Sequence, residues 1–560
     1  MSSYALGLDF GTSSARALIV DVRTGREVGL GSAAYRRGEQ GILGRADDPN
    51  VARQHPLDWS EAMEAAVRDA IASARGQDAH FEPTNVIGIG IDATASTPLP
   101  VDARLRPLVL EDRFADDLDA HAWLWKDHTA HAEAQEITEV ARRRRPQYLA
   151  KCGGAYSSEW FFSKLLHGLR VAPAVLAAAD GWVEEGDYIA GILTGAASPA
   201  ELPRNRCAAG HKALFSDAWG GFPDAEFLTE VDPRLERWCR GRLPRTTLSS
   251  AQAAGGLRRE WAERWGLPAG VPVAAAAIDA HLGAVGAGVR PGRLVKVLGT
   301  SGCDMLVHPA SSPLPAEIPG ICGVAADSIL PGYLGLEAGQ SALGDLFGWF
   351  VRFFPRGSGI SHDSLSDEAA KLRPGESGLV ALDWNNGNRS VLADPLLTGL
   401  LVGQTLQTRP AEVYRALLEA AAFGARVILE RFEEHGVRVQ DIVASGGVAE
   451  RSPLLLQILA DATGRPIRLS RSRETCALGA AVFGAVVSGA WSSVEEAQAA
   501  MTGLQPTVHE PDPTARGVYG ELFALYRSLH DAFGVAGART GLDTVMKRLI
   551  EIRERARLTR

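Results

Sequence analysis

Residues 4–21 read YALGLDFGTSSARALIVD: an apolar run that ends in a carboxylate, a turn of small and hydroxyl residues, and a second apolar run. Two strands joined by a tight glycine- and hydroxyl-rich turn are the natural reading, with Asp9 at the end of the first strand. The grammar returns in residues 294–307, LVKVLGTSGCDMLV, as strand, GTS turn and strand again. Repetition in both halves predicts two similar domains facing one cleft.

Between the two copies, strands and helices alternate. VIGIGID (Val86 to Asp92) reads as a buried strand running into the polar loop ATASTPLP, and VPVAAAAID as another that ends at Asp279 and passes into a helix near Ala280. Asp58 is expected to open a helix with Glu61 as its reciprocal capping partner, and Trp59, Met63, Val67 and Ile71 form its apolar stripe. In the second half Pro410 marks a first helical position and Gly436 a helix end. DIVASGG supplies strand and turn, and Ser452 with Pro453 opens a helix that closes near Gly464. From about residue 496 the chain looks helical and is expected to pack on the second lobe. Leu478 to Trp491 is apolar but shorter than the roughly 20 residues a bilayer needs, so it reads as a buried helix.

Composition bounds the function. The 560 residues carry 58 Lys plus Arg against 67 Asp plus Glu, a formal charge of −9, with 46% hydrophobic and 22% charged residues. That is ordinary for a globular enzyme of two large lobes and excludes collagen-like, coiled-coil and disordered classes. The acidic balance argues against nucleic acid as a partner. Sixty glycines suit a fold in which backbone approaches phosphate, whereas the six cysteines (Cys152, Cys207, Cys239, Cys303, Cys322 and Cys476) show no metal-ligand spacing and read as buried residues of a reducing cytoplasm. No targeting segment is visible at Met1 to Leu6. His128, His131 and His281 read as ordinary histidines, and the run Arg142 to Arg145 as a solvated helix end.

The chemistry gathers at strand ends. Amide and hydroxyl donors of Thr12 and Ser13 can hold phosphate oxygens while Asp9 reaches a hydrated Mg²⁺, and Gly299, Thr300 and Ser301 repeat the turn. Taken alone, either turn could be a self-stabilised hairpin. Gly446 and Gly447 in ASGGVAERSP leave room for a flat ligand such as adenine, with Ala477 to Ala480 closing the pocket; close helix packing explains the same glycines. Asp279 suits the general base of phosphoryl transfer to an alcohol, ionised at pH 7 with little tuning, and would equally serve as the N-cap of its helix. Lys212 in a glycine-flanked turn, Glu337 and Gln340 in GLEAGQSALGD, and Trp125, Lys126 and Asp127 in LWKDHT offer polyol-binding groups.

The segments GIDATASTP, LWKDHTAHAEAQEIT, AYSSEWFFSKLLH, RCAAGHKALF, DAHLGAVGAG, VKVLGTSGCDML and PGYLGLEAGQSALGD resemble the FGGY carbohydrate kinases over about residues 4 to 490. WKDHT, YSSEWF, GHK and GLEAGQSA point within the family to its ketopentose-phosphorylating branch. The resemblance implies an α/β fold of two actin- and hexokinase-like lobes, each on a ribonuclease-H-like sheet: residues 1–283 binding sugar, and 284–560 binding ATP and ending in a helical tail. It implies ATP with Mg²⁺ and L-ribulose as the sugar, in L-arabinose breakdown, with Asp279 as base. Lys126, Asp127, Lys212, Glu337, Asp279 itself and the backbone at Ala95 would lie against the sugar. Asp9 would face the Mg²⁺ of Mg-ATP through water, while Thr12, Ser13, Arg16, Gly299, Thr300, Ser301, Gly446 and Gly447 would face ATP. A homodimer is the assembly it allows, with no membrane partner. Two departures stand out: Glu450, Arg451 and Ser452 replace smaller polar residues on the adenosine side, and about Pro355 to Gly378 is shorter than in some relatives. The alternatives are a kinase for xylulose, ribitol or glycerol, and an actin-like ATP-binding switch, which would have no need of Asp279 with Lys212 and Glu337.

Overall fold

A computed structural model describes residues 2–315, 317–354, 360–538, 542 and 545–558. In the first lobe β1 (Tyr4–Phe10) and β2 (Ser14–Asp21) form the expected hairpin, and β3 (Glu27–Ala34) continues it antiparallel. α1 (Pro56–Gln77) covers β2 and β3 and buries Trp59, Met63, Val67 and Ile71 as the stripe requires. Its start differs from the sequence expectation. The ring of His55 accepts the Leu57 amide, and Asp58 and Glu61 are drawn away to Arg37, whose charge outcompetes a reciprocal cap. β4 (Val86–Ala93) then joins β1 in parallel and sets Asp92 beside Asp9.

α2 (Arg206–Lys212) is a helix where a turn was expected at Lys212. β5 (Ala253–Gly256) and β6 (Pro272–Ala274) complete the far edge of the sheet. The expected strand through 279 is interrupted: Ala275 donates its amide to Gln252, and only β7 (Ala277–Ile278) returns to β4. α3 (Asp279–Gly286) follows at once. The order is β3-β2-β1-β4-β6-β5.

The second lobe repeats the plan. β8 (Arg293–Leu298) and β9 (Gly302–Pro309) flank the second GTS turn, β10 (Gly323–Ala326) and β11 (Tyr333–Gln340) extend one side, and α4 (Gly344–Phe353) follows. α5 (Pro410–Glu434) crosses the core, β12 (Asp441–Ser445) pairs with β8 in parallel, and β13 (Ile467–Ser470) lies beyond it. α6 (Thr475–Val487) leads to β14 (Leu504–His509), giving the order β10-β11-β9-β8-β12-β13-β14. β14 corrects the all-helical reading of the tail: its residues alternate too little to advertise a strand, and the open edge of β13 recruits them. α7 (Pro513–Gly534) and the helix Val545–Leu558 bury Tyr519, Leu522, Tyr526, Leu549 and Ile552 in the core of this lobe. Residues 355–359 of the shortened segment lie outside the described residues.

The lobes are joined by an exchange of helices. α6, from the second half of the chain, lies on β1 and β4 of the first sheet, while α3, from the first half, reaches β8 and β9 of the second. A Cβ on Gly90 would stand 1.7 Å from the carbonyl oxygen of Ala480, and one on Gly286 2.0 Å from that of Thr475, so these contacts require glycine. Ala477 and Ala480 are fully buried here, which corrects their assignment to the nucleotide pocket. Among the described residues no helix is long and apolar enough to cross a membrane. A further core within residues 108–243 includes Trp123, Tyr148, Phe162 and Trp182.

Candidate active site

Parallel pairing decides where the reactive groups meet. Asp9 lies level with Asp92 across β1 and β4, and Ile278 lies level with Ala93 across β7 and β4, so Asp279 emerges at the same edge. In the second lobe Val297 pairs with Ser445, and the 299–301 and 446–447 turns therefore leave adjacent strands side by side. The sequence places these residues far apart; strand order brings them together.

The first turn is closed by the Gly11 amide on the Ser14 carbonyl at 3.0 Å. Trp125 Nε1 donates to Thr12 Oγ1 at 3.0 Å, and Gln54 Nε2 to the Thr12 carbonyl at 2.7 Å. Asp9, almost wholly buried, accepts from Arg16 Nη1 at 2.9 Å, and Arg16 also faces Glu474 at 3.7 Å. The second turn is closed by Gly299 N on Ser301 O at 3.0 Å and is braced by the start of α4: Leu343 N reaches Thr300 O at 2.9 Å and Gly344 N reaches Gly299 O at 3.0 Å. Gly446 has φ 93°, and a Cβ there would lie 2.6 Å from Leu298 O, so its backbone presses against the end of β8 as only glycine can. Gly447 is exposed at the start of the following short helix. The residues that departed from the resemblance are occupied locally. Glu450 pairs with Arg473 at 3.2 Å, Arg451 Nε donates to Gly447 O at 2.9 Å, and Ser452 caps the next helix.

Burial, reinforced by the Asp9 carboxylate, pushes Asp279 up to about 7, which corrects the expectation of an untuned base. Its Oδ1 accepts the amide of Ala280 at 2.6 Å, but the helix already begins at Asp279 with Ile278 as its cap, so it is not the N-cap. Asp92 is 0% exposed and no N–H donor reaches its carboxylate; burial, together with the charge and hydrogen bond of Asp9, holds it well above the usual range.

Lys212 Nζ donates to both oxygens of Glu337 at 2.9 Å, an ion pair made between the two halves of the chain. Burial alone would raise Glu337, yet Lys212, His281 and Arg389 hold it well below the usual range. Arg389 Nη2 donates to its Oε1 at 2.8 Å, and His211 Nδ1 and His281 Nε2 each lie 3.5 Å from Oε2. Trp160 offers its ring 5.5 Å from Lys212 Nζ. Lys164 Nζ holds the carbonyls of Ser96 at 2.8 Å and Leu124 at 2.7 Å, fixing the loop that leaves Ala95 half-buried. Lys126 is half-buried nearby in sequence. Asp127 is a correction: it is 0% exposed, bound to Arg53, the Ala52 amide and Thr129, and thus braces the loop. Gln340 is likewise consumed, by Lys296, Asp383 and Ala421.

Sequence reasoning missed Arg389, which lies in a glycine-rich stretch with no motif, and the grouping of Cys207, His211 and His281. The sulfur and ring nitrogens of these three lie within 4.8 Å of one another. Lys212 and Arg389 crowd the carboxylate that both rings face, which makes the set a poor home for a cation and a good packing layer behind Glu337. The basic run ends in ion pairs, Arg144 with Glu230 and Arg145 with Asp224 and Glu226.

Residues 4–286 match the N-terminal domain of the FGGY family of carbohydrate kinases, and residues 294–488 its C-terminal domain. The chain belongs to this family. It is an ATP-dependent carbohydrate kinase. Among curated relatives, this FGGY kinase is 41% identical to a ribulokinase of Halalkalibacterium halodurans, over 98% of this chain and 97% of that one. It is 40% identical to a ribulokinase of Mycolicibacterium smegmatis, over 95% and 94%. Of solved structures, a xylulose kinase from Rhodospirillum rubrum aligns with TM-score 0.73 at 24% identity, covering 95% of this chain and 99% of that one. A glycerol kinase from Plasmodium falciparum with ADP aligns with TM-score 0.75 at 15% identity, covering 94% and 98%. These two likenesses concern the fold: two actin- and hexokinase-like lobes around a cleft.

Proposed function

We propose that this kinase transfers the γ-phosphoryl group of ATP to the 5-hydroxyl of L-ribulose, and accepts D-ribulose as a second ketopentose. The observation that carries the reading is the raised Asp279 carboxylate at the shared strand edge, with the Lys212–Glu337 pair on the same side of the cleft. The ribulokinases similar along nearly the whole chain support the choice of sugar.

A carboxylate raised to about 7 is matched to the task of accepting a hydroxyl proton near neutral pH. Asp279 takes the proton of the attacking hydroxyl as the oxygen closes on phosphorus, and the remaining bond to ADP breaks. Amides and hydroxyls of Thr12, Ser13, Thr300 and Ser301 hold the phosphate chain, Gly299 closes the second turn behind them with its own amide on Ser301 O, and Arg16 keeps Asp9 oriented. Gly446 and Gly447 give the adenosine a side-chain-free wall. Lys212, Glu337 and the Ala95 backbone orient the ketopentose, and Trp125 couples that side to Thr12. Asp9 and Asp92, level across β1 and β4, form an oxygen-only pair whose chemistry fits Mg²⁺. When bound, that ion would neutralise charge on the phosphoryl oxygens.

The test is coupled ADP release across L-ribulose, D-ribulose, xylulose, ribitol and glycerol. The reading expects the largest kcat/KM for L-ribulose. A larger value for an alditol or for glycerol would replace the substrate, and ADP release that no sugar stimulates would favour an ATP-binding switch.

A further inference from the structure

We propose that Arg389 is a further substrate-binding residue, one that makes the kinase favour a ketose over the alditol obtained by reducing it. The inference rests on the ketopentose reading above and deepens it.

Arg389 belongs to the connection between the strands Val380–Leu382 and Leu400–Val402. That connection is pinned against β11, the strand that carries Glu337, and against the segment that precedes β10. Ser390 Oγ accepts the Gly339 amide at 2.8 Å, the Val391 amide reaches Gly320 O at 3.0 Å, and Asn388 and Asp394 exchange backbone bonds at 2.9 Å. The guanidinium therefore arrives at Glu337 on a fixed base. Of the three charged side chains joined there, Lys212 is 4% exposed and Glu337 3%, whereas Arg389 is 25% exposed. Arg389 is the member with an open face.

Counting donors and acceptors gives the specificity. Glu337 already accepts both Lys212 contacts and one from Arg389. An arginine has five N–H donors and no acceptor, and the single bond to Glu337 leaves most of its fork for a ligand. The accessible chemistry is thus a surplus of donors with a net positive charge, since two fixed cations face one carboxylate. A ketone oxygen accepts and brings no hydrogen of its own. The hydroxyl that replaces it in an alditol carries a proton that needs an acceptor, and Glu337, with three donors already on its roughly four lone-pair sites, has little acceptor capacity left beside the fork. The arrangement rewards the ketone oxygen and gives the alditol less.

The test measures kcat/KM for L-ribulose and for its two C2-reduction products, ribitol and L-arabinitol, in wild type, Arg389→Met and Arg389→Lys. The expected result for Arg389→Met is a loss of about 30-fold or more on L-ribulose, carried mainly by KM, with alditol values moved by less than about fivefold. The ketose-to-alditol ratio then collapses. Arg389→Lys, which keeps charge but loses the fork, should shift the ratio by about fivefold or more in the same direction. Should Arg389→Met fail to fold, the Arg389→Lys ratio decides alone. Losses of equal factor on ketose and alditol would show that Arg389 merely braces Glu337, and an unchanged ratio would exclude it from recognition; either overturns the proposal while leaving the ribulokinase reading standing. A wild type that turns over no ketopentose overturns both.

Discussion

The two GTS turns share their sequence, and each is closed by its glycine amide, Gly11 on Ser14 O and Gly299 on Ser301 O, but they are braced in opposite ways. Thr12 is held by side chains, Trp125 on its hydroxyl and Gln54 on its carbonyl, and it stands beside the carboxylates Asp9, Asp92 and Asp279. Thr300 is held by backbone amides at the start of α4 and stands beside the glycines of the 446–447 turn. The first lobe thus concentrates carboxylates around a turn tied to Trp125, whereas the second offers a turn fixed by backbone amides. The same three residues recur in both lobes, and the residues packed behind them make the two turns different.

The contrast can be broken at its strongest point first. Asp279→Asn should lower kcat for sugar phosphorylation by about 10³-fold or more, with KM for ATP within about threefold, because it removes a base and spares the amide surface. The same variant carries a stability signature. Burial raises the folded-state carboxyl of Asp279 to about 7, so the folded protein binds more protons than the unfolded chain between about 4 and 7 and loses stability as pH rises through that window. Asp279→Asn should therefore melt higher than wild type at about pH 8 and similarly at about pH 4, as thermal unfolding would show. A lower melting temperature at the higher pH would contradict the placement of the carboxyl.

On the second lobe Gly446→Ala should lower stability by about 1–3 kcal/mol and raise KM for ATP about tenfold, since a Cβ would meet Leu298 O in a left-handed backbone. Gly11→Ala, whose Cβ would have Ser14 O at 3.5 Å, should change stability by less than about 0.5 kcal/mol. Equal effects in a pair of melting curves would erase the distinction between the turns. A smaller effect belongs to the link across the first lobe. Trp125→Phe keeps the ring but loses the bond to Thr12, and should cut kcat/KM about threefold to tenfold for the sugar. Last, kcat/KM for the sugar in the wild type should fall tenfold per pH unit below an apparent pKa of about 7 as the base protonates.

The strands and turns at the cleft were legible because each is a local pattern: an apolar run, a carboxylate, then glycine and hydroxyls. Asp279 and Lys212 were legible through the segments they share with the FGGY kinases. What stayed hidden depends on contacts remote in sequence. Asp58 looked like a cap until Arg37 claimed it, and Asp127 like a sugar ligand until Arg53 did. Ala477 and Ala480 looked like a pocket wall because nothing local says that α6 crosses to the first sheet. Arg389 carries no motif at all; only the folded position of Glu337 gives it meaning. The raised carboxyl of Asp279 is likewise a property of burial and of Asp9, which lies 270 residues earlier in the chain.

The central claim is transfer of a phosphoryl group to a ketopentose, and ³¹P NMR of the wild-type reaction with ATP and L-ribulose tests it most directly. One phosphomonoester for each ADP formed, with the phosphorus coupled to the protons at carbon 5, is the predicted result. Inorganic phosphate in place of the ester, or an ester at another carbon, would contradict it.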